Sequence, residues 1–129
     1  MNAIYTLTTS TDFAASHIIP GHPGKCARLH GHNWKVEVSV VAKELDHLGM
    51  AIDFQYVKDA AKVTIEKVDH YHLNDLPFFA GISPTAENVA KWLFAQIAPV
   101  INSDSVKLQS VTLWETDRSR VCYSEGSQL

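Results

Sequence analysis

The sequence predicts an α+β fold: a four-stranded antiparallel sheet in the order ββααββ, with two helices packed on one face. Three observations carry this reading. A cleanly alternating stretch from Trp34 reads as a strand with one buried face. Two central segments place apolar residues at helical spacing, each preceded by a capping residue. Strand-like segments lie towards both ends of the chain, so strands flank the helical pair.

Residues 3–13 are rich in Thr, Ile, Tyr and Leu and read as the first strand. Pro20, Gly21, Pro23 and Gly24 mark a loop. In the second strand Trp34, Val36, Val38 and Val40 are apolar, whereas Lys35, Glu37 and Ser39 are polar. Asp53 can cap a helix starting at Phe54, with Ile52 and Val57 placed as a hydrophobic staple. Val57, Ala61, Ile65 and Val68 then recur at helical spacing. A polar loop is expected over residues 69–84. Thr85 can cap a second helix with Val89, Trp92, Leu93, Ile97 and Val100 on one side and Pro99 in its last turn. Residues 106–115 form a third strand with Val111, Leu113 and Glu115 on one face. A turn at Asp117, Arg118 and Ser119 leads to a short fourth strand around Val121 to Tyr123. Four strands leave open sheet edges, which invite self-association.

The 129 residues suit a single domain, 1–129, with a real hydrophobic core. No apolar run approaches the ~20 residues a membrane span needs. No basic segment followed by an apolar stretch opens the chain, so a cytoplasmic location is expected. A disulfide between Cys26 and Cys122 is correspondingly disfavoured. The net charge of −3 argues against nonspecific binding to nucleic acid or membranes, but leaves room for a small anionic substrate.

The chemistry concentrates in His17, Cys26, His30 and His32. An isolated histidine usually makes an ordinary hydrogen bond. In His30-Gly31-His32, however, the two rings share strand parity with Trp34, so both project to the inner face and can grip one ion. Gly31 removes a side chain between them. His17 shares parity with Phe13 and Ala15 and can emerge beside them. Imidazole donors point to zinc, and three neutral ligands leave a fourth position open. Cys26 has three readings: a fourth ligand closing a structural site, an inert buried residue, or a reactive thiolate favoured by the nearby charges of Lys25 and Arg28. In Asp69-His70 a carboxylate can orient an imidazole for acid–base work, or the pair can be a polar helix end. His72 and Asn74 can cap or solvate the same loop. Glu115 is an inward carboxylate that needs a partner. It either forms a salt bridge or accepts two parallel N–H bonds from an amidine-like ring edge. Glu87, in a first helical turn, reads as a dipole-stabilising residue.

Together these residues resemble the 6-pyruvoyl-tetrahydropterin synthase family. The matching pieces are Phe13-Ala14-Ala15-Ser16-His17, Cys26-Ala27-Arg28-Leu29-His30-Gly31-His32-Asn33, Met50-Ala51-Ile52-Asp53-Phe54, Asp69-His70-Tyr71-His72-Leu73-Asn74, Pro84-Thr85-Ala86-Glu87-Asn88 and Trp114-Glu115-Thr116. Each is modest alone, and the set, in the family's order, is specific. The short spacing from Cys26 to His30 and His32 is similar to the bacterial branch, 6-carboxytetrahydropterin synthase of queuosine biosynthesis, because the pyruvoyl-forming enzymes typically carry a longer insert there. The resemblance implies a T-fold (tunnelling fold) subunit in a homohexamer of two stacked trimers, with sites between subunits. It implies 7,8-dihydroneopterin triphosphate as substrate and 6-carboxy-5,6,7,8-tetrahydropterin, acetaldehyde and triphosphate as products. By motif match, His17, His30 and His32 would hold zinc (Zn2+), Cys26 would accept a proton, Asp69 and His70 would relay it, and Glu115 would anchor the pterin. Thr85 is a further substrate-binding candidate. Lys25, Arg28 and Lys35 are candidates for the triphosphate. Two other readings stand beside this one: the pyruvoyl-forming synthase on the same substrate, and a non-catalytic domain with a closed zinc site of one cysteine and three histidines.

Overall fold

The structure, a computed structural model, describes residues 3–126, so both ends of the expected 1–129 domain lie outside the described residues. Strand β1 (Tyr5–His17) pairs antiparallel with β2 (His30–Ala42), β2 with β4 (Val106–Thr116), and β4 with β5 (Ser119–Tyr123). Helices α1 (Phe54–Ile65) and α2 (Ala86–Ile101) lie between β2 and β4 in sequence, and both contact the sheet and each other. The α+β class and the two helices are as the sequence predicts.

The strand count is not. The sheet has five strands in the order β3-β1-β2-β4-β5, and β3 (Tyr71–His72) runs parallel to β1. The sheet is therefore mixed rather than purely antiparallel. The segment expected to be only a polar loop supplies this added strand, followed by short 3₁₀ turns at Leu73–Asp75 and Pro77–Phe79. The first strand also runs four residues past Phe13, to His17, because Ala14–His17 keep pairing with residues 30–33.

Local chemistry explains both helices. The Asp53 carboxylate accepts the Gln55 N–H at 2.8 Å, and Thr85 Oγ1 accepts the Asn88 N–H at 3.1 Å. Each cap satisfies one of the N–H groups that a helix start leaves unpaired. Ile52 and Val57 both pack against the core, as a staple should. In α2 the buried row is Val89, Leu93, Ile97 and Ile101, flanked by Ala90 and Phe94. This row follows steps of four, so Val100, expected inside, lies outside at 50% exposure while Ile101 takes its place. Pro99 falls in the last turn, as expected.

The inner sheet face carries Phe13, Trp34, Val36, Val38, Val40, Val111 and Leu113, all buried. Phe13 and Trp34 are directly opposed and stack with parallel rings 5.8 Å apart. The Trp34 indole N–H donates to the Ala15 carbonyl at 3.2 Å. Trp34 thus forms a rigid floor at one end of the core, and the histidines stand on it.

Candidate metal centre and adjoining recess

Strand register assembles the cluster. His17 is directly opposite His30, and His32 is opposite Ala15, two residues along on the same face. The ring centroids of the three histidines are 4.4–5.3 Å apart, and those of His17 and His32 sit edge-on to Trp34 at 5.0 and 5.2 Å. Glu115 joins them from β4. The β4–β5 register shifts between Trp114 and Thr116, a bulge that interrupts regular pairing at Glu115. One ligand atom from each of His17, His30, His32 and Glu115 falls within 4.8 Å of all the others.

The donor set fits a cation. His17 Nδ1 donates to the Pro84 carbonyl at 2.8 Å and His30 Nδ1 to the Arg28 carbonyl at 2.7 Å. These bonds leave each ring's Nε2 as a lone pair and fix its direction, the arrangement metal-ligating histidines use. Glu115 Oε1 lies 3.0 Å from His32 Nε2 and 3.8 Å from His17 Nε2. Neither approach has hydrogen-bond geometry, so both buried Nε2 atoms lack a hydrogen-bond partner. Buried polar atoms converging without satisfied hydrogen bonds are unfavourable until a cation lies among them. Burial pushes His17 below the ordinary histidine value, against the Pro84 hydrogen bond that raises it, and burial likewise lowers His32. Neutral imidazole is the form that binds metal.

Cys26 is outside this group. It lies half-buried in a 3₁₀ turn at Lys25–Ala27, where its carbonyl accepts the Ile19 N–H at 2.7 Å. The fourth member is a carboxylate, contrary to a closed site of one cysteine and three histidines. Lys25 and Arg28 flank Cys26 and are exposed. Lys35 lies elsewhere, on the outer sheet face, with its ammonium 5.7 Å over Trp114. Gly31 has less steric reason than its position suggests, since an added Cβ would meet only the Ala15 carbonyl at 3.8 Å.

Asp69 and His70 grip β1 from its other side. Asp69 Oδ1 accepts the Ala14 N–H at 2.9 Å, and His70 N–H donates to the Ala14 carbonyl at 2.6 Å. That clamp holds His70 at φ 64°, the only left-handed non-glycine among the described residues. His70 Nδ1 is 2.9 Å from Asp69 Oδ1. The Ala14 N–H, more than the imidazole, holds the Asp69 carboxyl below its ordinary range. The His70 ring is 81% exposed and shares a groove of about 430 Å³ with Ser16, His32, Asn33, Tyr71 and His72. His72 Nδ1 lies 2.9 Å from Ser16 Oγ. Asn74 binds both the N–H and the carbonyl of Ile18, at 2.9 and 3.0 Å, and so anchors the chain just after His17. Among the described residues no hydrogen bond or ion pair joins Cys26 to Asp69 or His70.

Thr85 works as a helix cap, and the Asn88 side chain donates to the Ser83 carbonyl at 2.9 Å. Together they hold the Ser83–Pro84 segment whose carbonyl orients His17. A recess of about 280 Å³ opens between the start of α2 and the β4–β5 hairpin, lined by Ala86, Glu87, Leu113, Glu115, Ser119 and Arg120 among others. Glu87 stands in the first turn of α2, as the dipole-stabilising reading expects, and also lines this recess with Glu115.

The family profile for 6-pyruvoyl tetrahydropterin synthase matches residues 6–126. A 6-carboxy-5,6,7,8-tetrahydropterin synthase of Rickettsia bellii is 34% identical over 127 positions, covering 84% of this chain and 92% of the relative. One from Synechocystis is 37% identical over 117 positions, covering 86% of each. The solved 6-pyruvoyl tetrahydropterin synthase of Caenorhabditis elegans superposes with a TM-score of 0.85 at 28% identity, covering 96% of this chain and 97% of that one. The two-helix, mixed-sheet architecture is thus the T-fold. With motifs, fold and donor set in agreement, the chain belongs to the 6-pyruvoyl tetrahydropterin synthase family.

Proposed function

We propose that the chain is a zinc-dependent 6-carboxy-5,6,7,8-tetrahydropterin synthase. It converts 7,8-dihydroneopterin triphosphate and water to 6-carboxytetrahydropterin, acetaldehyde and triphosphate, as a carbon–carbon lyase of queuosine biosynthesis in the cytoplasm. The observation that carries this reading is the convergence of His17, His30, His32 and Glu115 beside a recess of ring size, in a chain similar to relatives of that name.

His17, His30 and His32 would hold the zinc. Bound there, zinc supplies Lewis-acid polarisation of the substrate's side-chain oxygens. Cys26, as thiolate, takes the proton from the adjoining side-chain carbon. Asp69 orients His70, which returns a proton from the groove it shares with His32. Glu115 and Glu87 accept the parallel N–H groups of the pterin edge in the recess. Thr85 serves this site through the cap. Lys25 and Arg28 are the basic residues nearest Cys26 in sequence and remain the choice for the triphosphate, whereas Lys35 is committed to the opposite sheet face. The likeness to the C. elegans structure favours a second reading, elimination of triphosphate to a pyruvoyl product. Product analysis with zinc-loaded protein separates the two: acetaldehyde release supports the first, and a pyruvoyl product without acetaldehyde overturns it.

A further inference from the structure

We propose that Glu115 is a displaceable fourth ligand of this centre, bound to the metal in the resting chain and released from it when a pterin ring enters the recess. The inference rests on the metal-dependent pterin reading above and assigns Glu115 a second position within it.

Glu115 stands at the border between the histidine cluster and the recess. Its described polar contacts are all to the cluster: 3.0 Å to His32 Nε2 and 3.8 Å to His17 Nε2. None is to Glu87 or any other recess residue, although Glu115 lines that recess. The carboxylate therefore lies with the metal donors rather than with the recess. Its neighbours in the cluster differ from it in freedom. His17 and His30 are tied by strand pairing and by their Nδ1 bonds to backbone carbonyls. Glu115 springs from a bulge, has three side-chain torsions, and is 30% exposed against 1% for His17 and 18% for His32. It is less constrained than His17 and His30.

One carboxylate cannot both ligate the metal and accept a pair of ring N–H groups in the recess. Three histidines and a carboxylate make a closed four-coordinate set, and a catalytic centre needs an open position. Ring binding would open that position only when substrate is present. Because both demands compete for one group, ring and metal must weaken each other's binding by the same factor.

The test uses Co2+ as a spectroscopic stand-in and bare pterin, which has the ring edge but no side chain to coordinate metal. Co2+ affinity is measured by competition with a chromophoric chelator, and pterin occupancy by its own fluorescence. In the wild-type protein saturating pterin should change the visible Co2+ spectrum and lower Co2+ affinity about tenfold. Glu115→Gln should bind Co2+ about tenfold more weakly, as loss of a tuning or ligating group does, and should show no further loss on adding pterin. Glu115→Asp, which keeps the charge, should recover part of the affinity, separating ligation from misfolding. An unchanged wild-type spectrum and affinity at full pterin occupancy would overturn the inference and leave the proposed function standing. Failure of the wild-type protein to bind either Co2+ or Zn2+ would overturn both.

Discussion

His17 is the most enclosed member of the donor set, and one bond to the Pro84 carbonyl settles its ring direction. Its enclosure has a consequence for stability. Burial lowers His17 and His32 below the ordinary 6.5, so near and just below that pH the unfolded chain binds protons that the folded chain does not. Stability then rises with pH in this window, is complete above about 6.5, and is lost as pH falls through the folded values. Metal-free protein should show a melting temperature that is flat above about pH 6.5 and falls below it, and His17→Asn should reduce that slope. Asp69 also loses its stabilising effect in acid, but only below the carboxylate value of 3.8. Cys26 gives a second prediction at this scale. Since its thiol is outside the four-atom group, Cys26→Ala should keep stoichiometric zinc by metal analysis and lose turnover. Loss of the metal in that variant would return Cys26 to the ligand set.

At the scale of elements, the start of α2 links folding to the centre. Thr85 caps the helix, Asn88 holds Ser83, and the Pro84 carbonyl between them accepts from His17. Thr85→Ala should cost about 1 kcal/mol of stability, the usual worth of such a cap, and should also weaken zinc binding by loosening that carbonyl. Thr85→Ser should restore both in parallel, as read by thermal melts and chelator competition. Both helices were legible because caps and periodicity are local: Asp53, Thr85 and the row Val89, Leu93, Ile97 are all visible within a few residues. The His30–His32 pair was legible for the same reason, through strand parity. Strand β3 was not. Two residues carry no alternation, and their pairing with Ala15 and Ser16 is made across more than fifty positions of chain. The place of Glu115 was only half legible. Parity put it inside, but the bulge and the β2–β4 register that bring it to the histidines are tertiary facts. The first-turn place of Glu87 was legible in the same local way, whereas its position beside Glu115 in the recess depends on how α2 meets β4.

For the whole molecule, the sheet leaves much of its hydrogen-bonding capacity open. Among the described residues, strand β3 covers β1 only at Ala15 and Ser16, and no strand pairs with the outer edge of β5. Exposed edges of this length call for a partner. The proposed machinery is also dispersed: His70 is 81% exposed, and no bond joins it or Asp69 to Cys26. Both features suit the homohexamer proposed by family resemblance, with two stacked trimers and sites completed between copies. Light scattering should then give a particle six times the 14.3 kDa chain mass. A sharper prediction follows from which residues share a chain. Cys26→Ala and His70→Ala should each be inactive alone. If Cys26 of one copy works with His70 of another, mixing the two variants through unfolding and reassembly restores sites that have both groups intact. Random pairing in a symmetric ring makes these roughly a quarter of all sites. Recovery of about that share of wild-type turnover supports a shared site. If the mixture stays inactive while its mass and zinc content match the wild type, Cys26 and His70 act within one subunit, and the exposed His70 must reach its substrate along the groove beside His32.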